Sequence, residues 1–459
     1  MVRIELEVNE ACSGPQGCEG RAPAAEGDLK ANRLVEGHRS VHVGHRQGHG
    51  AESLDGGGAG GGISCWLSHV RQDVTAIPYT PAVPRFIHTA DWQLGMTRRF
   101  LSPEAQARFT AARIDAIRCI GRLATEHNAT FVVVGGDVFE TNQVDRQIVV
   151  RTLDALKDFP TVTFYLLPGN HDPLDAGSVF TSPTFTAHCP PNVVVLADAT
   201  PIAAGDGLEI VGAPWFSKRP DTDLLAQATA DLPADGTLRI VVGHGGVDTM
   251  APDPDNPSLV SVDSLEAGIA EGKFHYVALG DRHSTTNVNE TSRIWYSGAP
   301  EPTDFREVEP GNVLLVELDA QGATVEALRT GTWQFLLEEF ELTGPEDCDR
   351  VGSFLDEISD KQNTVVKLGL VGTLSLAAYG ELEANLDHFR DLLAGLVTSE
   401  SRSELAVIPN DEDLAAMNLK GFGRDALDEL FERANRENEE AEVAQRALEL
   451  LYRLQRGVA

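Results

Sequence analysis

Five short apolar runs lie in the middle of the chain, and each is cut off by a group of Gly, Asp, Asn or His residues. The runs are Arg85-Phe86-Ile87, Phe131-Val132-Val133-Val134, Phe164-Tyr165-Leu166-Leu167, Arg239-Ile240-Val241-Val242 and Tyr276-Val277-Ala278-Leu279. Short apolar runs of this length predict strands. Longer segments between them carry helical spacing. After Ser102-Pro103-Glu104, a helix-start signal, apolar residues recur at Phe109, Ala112, Ile117, Ile120 and Leu123. Strands alternating with helices predict an α/β fold. Beyond residue 283 only strand patterns follow, at 293–297, 312–318 and 324–328, which predict the closing meander of a sheet.

The pattern divides the chain. Residues 1–83 have little periodicity and contain Gly56-Gly57-Gly58-Ala59-Gly60-Gly61-Gly62, so they read as a disordered tail. Residues 84–330 form the main domain. Residues 331–400 read as a small α+β module, with strands at 335–342 and 364–371 and helices at 345–358 and 378–396. Residues 401–459 are a helical tail with one long helix over 424–456. Its apolar stripe of Leu427, Leu430, Phe431, Ala434, Ala444, Ala447, Leu448 and Leu451 packs either on its own domain or on a partner helix.

Charge narrows the partners. With 37 Lys and Arg against 70 Asp and Glu, the 459-residue chain carries a formal charge of −33, and its pI is near 4.7. That sign excludes nucleic-acid binding through the overall field. A nucleic-acid substrate needs a local basic groove, bound metals or a partner. Arg98 and Arg99, after the first motif, are the candidate phosphate contacts, with Lys218 and Arg219 further on. The 6 cysteines form no CxxC pair and read as reduced thiols. No apolar run reaches the length of a membrane span, and Met1-Val2-Arg3-Ile4-Glu5 is not a signal-peptide start, so a cytoplasmic protein without a membrane partner is expected.

The motifs closing the five strands are Asp91-Trp92-Gln93, Gly135-Gly136-Asp137, Gly169-Asn170-His171-Asp172, Gly243-His244 and Gly280-Asp281-Arg282-His283. They bring carboxylates, an amide and imidazoles to one sheet edge, where sites of α/β folds form. Buried carboxylates in such number call for a cation. The expectation is a two-metal phosphoesterase site. Asp137, at a tight Gly-Gly turn, is the natural bridging ligand. Asn170 offers a neutral oxygen, and His244 and His283 offer ring nitrogens. His171 suits protonation of the leaving alkoxide. His88 and Trp92 read as core.

With these motifs the chain resembles the calcineurin-like metallophosphoesterases and, among them, the SbcD-type DNA repair exonucleases. The opening Phe86-Ile87-His88-Thr89-Ala90-Asp91-Trp92-Gln93-Leu94-Gly95 and the closing Tyr276–Gly280, Asp281-Arg282-His283 and Tyr296-Ser297-Gly298-Ala299-Pro300-Glu301 carry the likeness, which covers about residues 85–330. The resemblance implies a β-sandwich flanked by helices, then a small α+β capping module and a C-terminal helix. It also implies manganese-dependent nuclease activity on DNA and an SMC-like ATPase partner of the SbcC type; a homodimer is compatible with it. One ion would be held by Asp91, Gln93, Asp137 and His283, the other by Asp137, Asn170, His244 and Asp281. Gln93 and Asp281 stand where the family has histidines. Exchanging nitrogen for oxygen favours Mn²⁺, with Mg²⁺ next, over Zn²⁺. No Walker A sequence is present, so ATP would belong to the partner. Two other readings stay open: a phosphoesterase for small nucleotides or phosphomonoesters, and a catalytically weak metal-binding scaffold.

Overall fold

The computed structural model describes residues 83–253, 256–408, 413, 419–434, 436 and 439–456. The expected disordered tail lies outside the described residues, apart from Val83.

In chain order the strands of the main domain are β1 (Arg85–Thr89), β2 (Phe131–Val134), β3 (Thr163–Leu166), β4 (Val193–Val195), β5 (Ile202–Gly205), β6 (Leu208–Gly212), β7 (Leu238–His244), β8 (Tyr276–Gly280), β9 (Thr286–Asn287), β10 (Ile294–Tyr296), β11 (Asn312–Leu318) and β12 (Ala323–Arg329). They form two six-stranded sheets, ordered β12-β11-β1-β2-β3-β4 and β5-β6-β7-β8-β10-β9. Side chains alternate across each strand. Phe86, Phe131, Val133, Tyr165, Ile240, Val242, Tyr276 and Ala278 point between the sheets. Their neighbours Ile87, Val132, Val134, Phe164 and Leu166 point outward, onto α1 (Pro103–Glu126), α2 (Arg146–Lys157) and α3 (Pro183–His188). On the other side Val241, Val277 and Leu279 meet α4 (Leu224–Thr229) and α5 (Val262–Ala270). The domain is the expected β-sandwich flanked by helices. Its continuous apolar strands follow from burial on both faces.

The start of α1 is as expected. Ser102 Oγ accepts from Ala105 N at 3.1 Å, with Pro103 in the first turn; replacing such a cap costs about 1 kcal/mol. The closing meander is not. β10 pairs in parallel with β8 in the second sheet, whereas β11 and β12 join the first sheet beside β1. Leu314 and Val316 of β11 fill the sandwich core, which draws the strand away from β10.

The α+β module after the sandwich holds β13 (Gln334–Leu342), α6 (Pro345–Glu357), β14 (Thr364–Leu374), α7 (Leu376–Leu392), β15 (Gly395–Thr398) and β16 (Glu404–Val407). The long β14 pairs with β13 along one edge and with β15 and then β16 along the other. Residues 395 and 396, expected at the end of a helix, instead open strand β15, and β16 extends the sheet to Val407. Its attachment is aromatic: Phe109 of α1 meets Trp333 at 4.9 Å between ring centroids, edge-on, and stacks on Phe335. Buried Glu301 accepts from Thr332 N, Thr332 Oγ1 and Trp333 N at 2.8, 3.0 and 3.1 Å, holding the connection in place.

The expected single C-terminal helix is two, Phe422–Ala434 and Glu439–Arg456. The intervening sequence Asn435-Arg436-Glu437-Asn438 has no apolar residue. Burial therefore favours folding one stripe back on the other over a continuous rod. Leu427, Ala434, Ala444 and Leu448 are buried together against Leu376 and Val407, with Leu430, Phe431 and Leu451 packed on them. This inner stripe is core. Val443, Leu450 and Leu454 remain exposed on the second helix. Among the described residues no helix is long and apolar enough to cross a membrane.

Candidate metal centre

All five polar motifs lie at the carboxyl ends of β1, β2, β3, β7 and β8, where the two sheets converge. The convergence is close: a Cβ on Gly280 would lie 2.0 Å from Gly135 O, and one on Gly136 would lie 2.3 Å from His244 Nδ1. Only glycine fits at either position. Hydrogen bonds knit the loops: Asp91 N donates to Gly136 O (3.0 Å) and Gln93 N to Asp137 O (2.8 Å).

Backbone strain collects here. Among the described residues seven non-glycine residues have positive φ, and four are Asp91 (54°), Gln93 (42°), Asp137 (53°) and Asp281 (94°). Such conformations cost on the order of 1–3 kcal/mol each and persist at functional sites where the surroundings enforce them. Here each one turns a polar side chain into the same space.

Asp91, Gln93, Asp137 and His244 are buried, Asn170, His171 and His283 half-buried, and Asp281 exposed. Oxygens of Asp91 and Asp137 and a ring nitrogen of His244 lie within 4.8 Å of one another. His244 Nδ1 donates to Gly135 O at 2.8 Å. Its Nε2 lies 3.5 Å from Asp137 Oδ1 and 3.8 Å from Asp281 Oδ1. The Asn170 amide is 2.7 Å from the same nitrogen; with its own nitrogen turned inward it also donates to Asp137 Oδ1 and Oδ2 at 3.3 and 3.2 Å. On the other side Gln93 Nε2 lies 3.4 Å from His283 Nε2. Asp281 N donates to both Asp91 oxygens, at 3.1 and 3.2 Å. Asp91, Asp137 and His244 thus form one buried cluster, with Asn170 and Asp281 beside His244 and with Gln93 beside His283.

Electrostatics match this crowding. Burial pushes Asp91 up to about 6, with further pressure from Asp137 and Asp281 against the pull of His283 and His244. Burial would lower His244, but Asp137, Asp281 and Asp91 outweigh it and hold the imidazolium to about 9. Gln93 Oε1 is buried with no hydrogen-bond partner. A buried, unsatisfied oxygen costs roughly 1–3 kcal/mol. Beside clustered carboxylates and inward-facing ring nitrogens, it is the donor set of a divalent cation. The residues fit the ion that the motifs imply.

His171 sits at the rim. Its backbone N–H donates to Asp137 Oδ1 (2.9 Å) and its Nδ1 to Glu140 O (2.9 Å). Nε2 is thereby left on the Asp137 side, 4.0 Å from Oδ2. Arg98 Nε and Nη2 donate to Thr303 O at 3.1 and 2.6 Å, so its guanidinium is anchored to a loop; Arg99 is exposed, as are Lys218 and Arg219. His88 is core: Nδ1 bonds Tyr276 Oη and Nε2 bonds Leu279 O, both at 3.1 Å, and burial lowers it to about 3. Trp92 is buried and donates to Thr89 Oγ1 at 3.0 Å.

Two supports went unread in the sequence. Asp172 is fully buried, and its oxygens accept from Gly169 N and Phe139 N, both at 2.8 Å, clamping two ligand loops together. Burial pushes it up to about 8. Its place in the Asn170 motif was the available signal. Glu307 and Thr303 hold His283 Nδ1, at 3.0 and 2.5 Å. They lie 20 and more residues downstream of it, outside every quoted motif.

Comparison with known proteins agrees with this geometry. Residues 84–285 match the calcineurin-like phosphoesterase family. The chain is 25% identical over 333 residues to the DNA double-strand break repair protein Mre11 of Haloferax volcanii, covering 67% of this chain and 68% of that one. Similar solved structures include TT1561 of Thermus thermophilus (12% identity, 54% of this chain and 100% of that one, TM-score 0.36). A dimetal phosphatase of Danio rerio is another (12%, 54% and 99%, 0.33). Motif order, sandwich and matched residues together make residues 84–285 a calcineurin-like phosphoesterase domain, and the chain a hydrolase.

Proposed function

We propose that the chain is a metal-dependent phosphodiesterase and the nuclease subunit of a DNA repair complex similar to SbcCD, cleaving DNA phosphodiester bonds at a centre of two divalent ions. One observation carries the DNA reading over that of a small-substrate phosphoesterase. The similarity to the Haloferax volcanii repair protein spans 333 residues, a longer stretch than the phosphoesterase domain itself. A small-substrate enzyme has no need of the attached module. The acidic balance of −33 supports the small-substrate alternative. The two separate on one assay: purified protein should cleave linear duplex DNA in the presence of Mn²⁺, and cleavage confined to small phosphomonoesters would overturn the DNA reading.

Asp91, Gln93, Asp137 and His283 would hold one ion, and Asp137, Asn170, His244 and Asp281 the other. Bound divalent ions supply charge neutralisation and a lowered pKa of water. The chain's own residues supply the rest. His171 Nε2, fixed by the Glu140 carbonyl, delivers a proton to the leaving oxygen. Arg98 and Arg99 add positive charge for the phosphate backbone.

The oxygen-rich donor set should rank Mn²⁺ first, then Mg²⁺, with Zn²⁺ below, in activity measured across the three ions; a highest rate with Zn²⁺ would sink the oxygen-donor argument. Ion uptake must displace the His244 proton, so affinity should rise with pH from 7 towards 9.

A coiled-coil ATPase is the proposed partner, in the cytoplasm, and it docks on the outer stripe of Val443, Leu450 and Leu454. Leu450→Glu with Leu454→Glu should abolish co-purification with that ATPase while hydrolysis of a small chromogenic phosphodiester stays unchanged. Retained co-purification places the partner elsewhere. Leu448→Glu should instead lower the melting temperature, because Leu448 is fully buried.

A further inference from the structure

His283 is held differently from the other two imidazoles of the centre. His244 and His171 each donate Nδ1–H to a backbone carbonyl, Gly135 O and Glu140 O. His283 Nδ1 instead faces a carboxylate: Glu307 Oε1 at 3.0 Å, with Thr303 Oγ1 at 2.5 Å. The Glu307 side chain is only 6% exposed. Its second oxygen accepts from Thr303 N at 2.9 Å, and Thr303 Oγ1 bonds to Oε1. Thr303 O in turn is tied to Arg98. Both oxygens are therefore engaged, and the carboxylate cannot swing away.

We propose that Glu307 is a positioning residue for the metal centre, acting through His283. This rests on the metal-dependent reading above. The carboxylate keeps the proton on Nδ1 and presents Nε2 on the Gln93 side, where the two side chains lie 3.4 Å apart. Its negative charge also raises the donor strength of Nε2. That matters more here than where a second imidazole is available. On this side of the centre Gln93 contributes only a neutral amide oxygen, so donor strength falls to the two carboxylates and to His283, the one imidazole. Glutamine could not replace Glu307. An amide has one acceptor oxygen, and its NH₂ would be set against either the His283 Nδ1–H or the Thr303 N–H. The loop reaches further: Phe305 packs against Phe100 and against Phe335 of the α+β module, at 5.8 and 5.2 Å between ring centroids. The segment that orients His283 is thus the one on which the module rests.

The test is Mn²⁺ titration of the full chain, followed by electron paramagnetic resonance. In Glu307→Gln the affinity for one of the two ions should fall about 10–100-fold, and the other should hold. In a His283→Ala background Glu307→Gln should cause no further loss, because its action runs through that ring. An unchanged affinity in Glu307→Gln, or an equal further loss in the His283→Ala background, overturns the proposal. Should Glu307→Gln fail to fold, Glu307→Asp carries the test. It keeps both oxygens and the charge but is one methylene short, so it should weaken the same ion alone, and an unchanged affinity overturns the proposal. A wild-type protein that takes up no divalent ion overturns the metal reading itself, which is distinct from a wild type that binds and a variant that binds equally well.

Discussion

Asp137→Ala is expected to empty both ion positions and to lower phosphodiester hydrolysis by more than about 10³-fold. Loss of a single preorganised electrostatic donor already costs about 10²–10³-fold, and Asp137 is the ligand proposed for both ions. It is 2% exposed, and its Oδ1 lies 3.5 Å from His244 Nε2. Elemental analysis after gel filtration gives the ion count, and a chromogenic phosphodiester gives the rate. The ion-free protein should keep its melting temperature within a few degrees. Without a cation the Asp137 carboxylate presses Asp91 and Asp172 towards their neutral forms, so its removal relieves repulsion as well as breaking the bond from His171 N. A variant that retains its ions would show that Asp137 is not the shared ligand.

His171→Ala is expected to behave in the opposite way, keeping its ions and losing about 10²–10⁴-fold in turnover, the usual contribution of a positioned general acid. Its Nδ1 is occupied by Glu140 O, and its Nε2 stands 4.0 Å from Asp137 Oδ2 at the half-exposed rim. That is a place for meeting a leaving oxygen. The loss should shrink for substrates whose leaving group is a weak base, since these need no proton. A loss equally large for nitrophenolate and alkoxide leaving groups would remove the acid role. Ion loss in the variant would make His171 a ligand.

The ligand loops were legible in the sequence because each is a local event. An apolar run such as Phe131-Val132-Val133-Val134 must end where Gly-Gly turns it, and the next polar residue is then delivered to the sheet edge. His88 and Trp92 could be set aside on the same grounds, as single residues within an apolar strand or beside one, and both are buried, with hydrogen bonds to Tyr276 and Leu279 and to Thr89. The helix start at Ser102-Pro103 and the module strands at β13 and β14 obey equally local rules. Residues 424–456 mark the limit of that reasoning. Helical period was right on both sides of residue 435. The break depended on whether two stripes could meet each other and Leu376.

By itself the sequence determined the five strands, the polar group at the end of each and their order, because propensity, turn chemistry and burial act within a few residues. Tertiary structure decided what long-range pairing must decide. It sent β10 to one sheet and β11 to the other, since a strand pattern states how a strand is buried and not beside which neighbour. It brought Glu307 behind His283 and Asp172 between two loops, and it turned Arg98 onto Thr303. A hydrogen-bond partner is chosen by position in space, and no spacing along the chain encodes a contact that exists only once two sheets have closed over a common core.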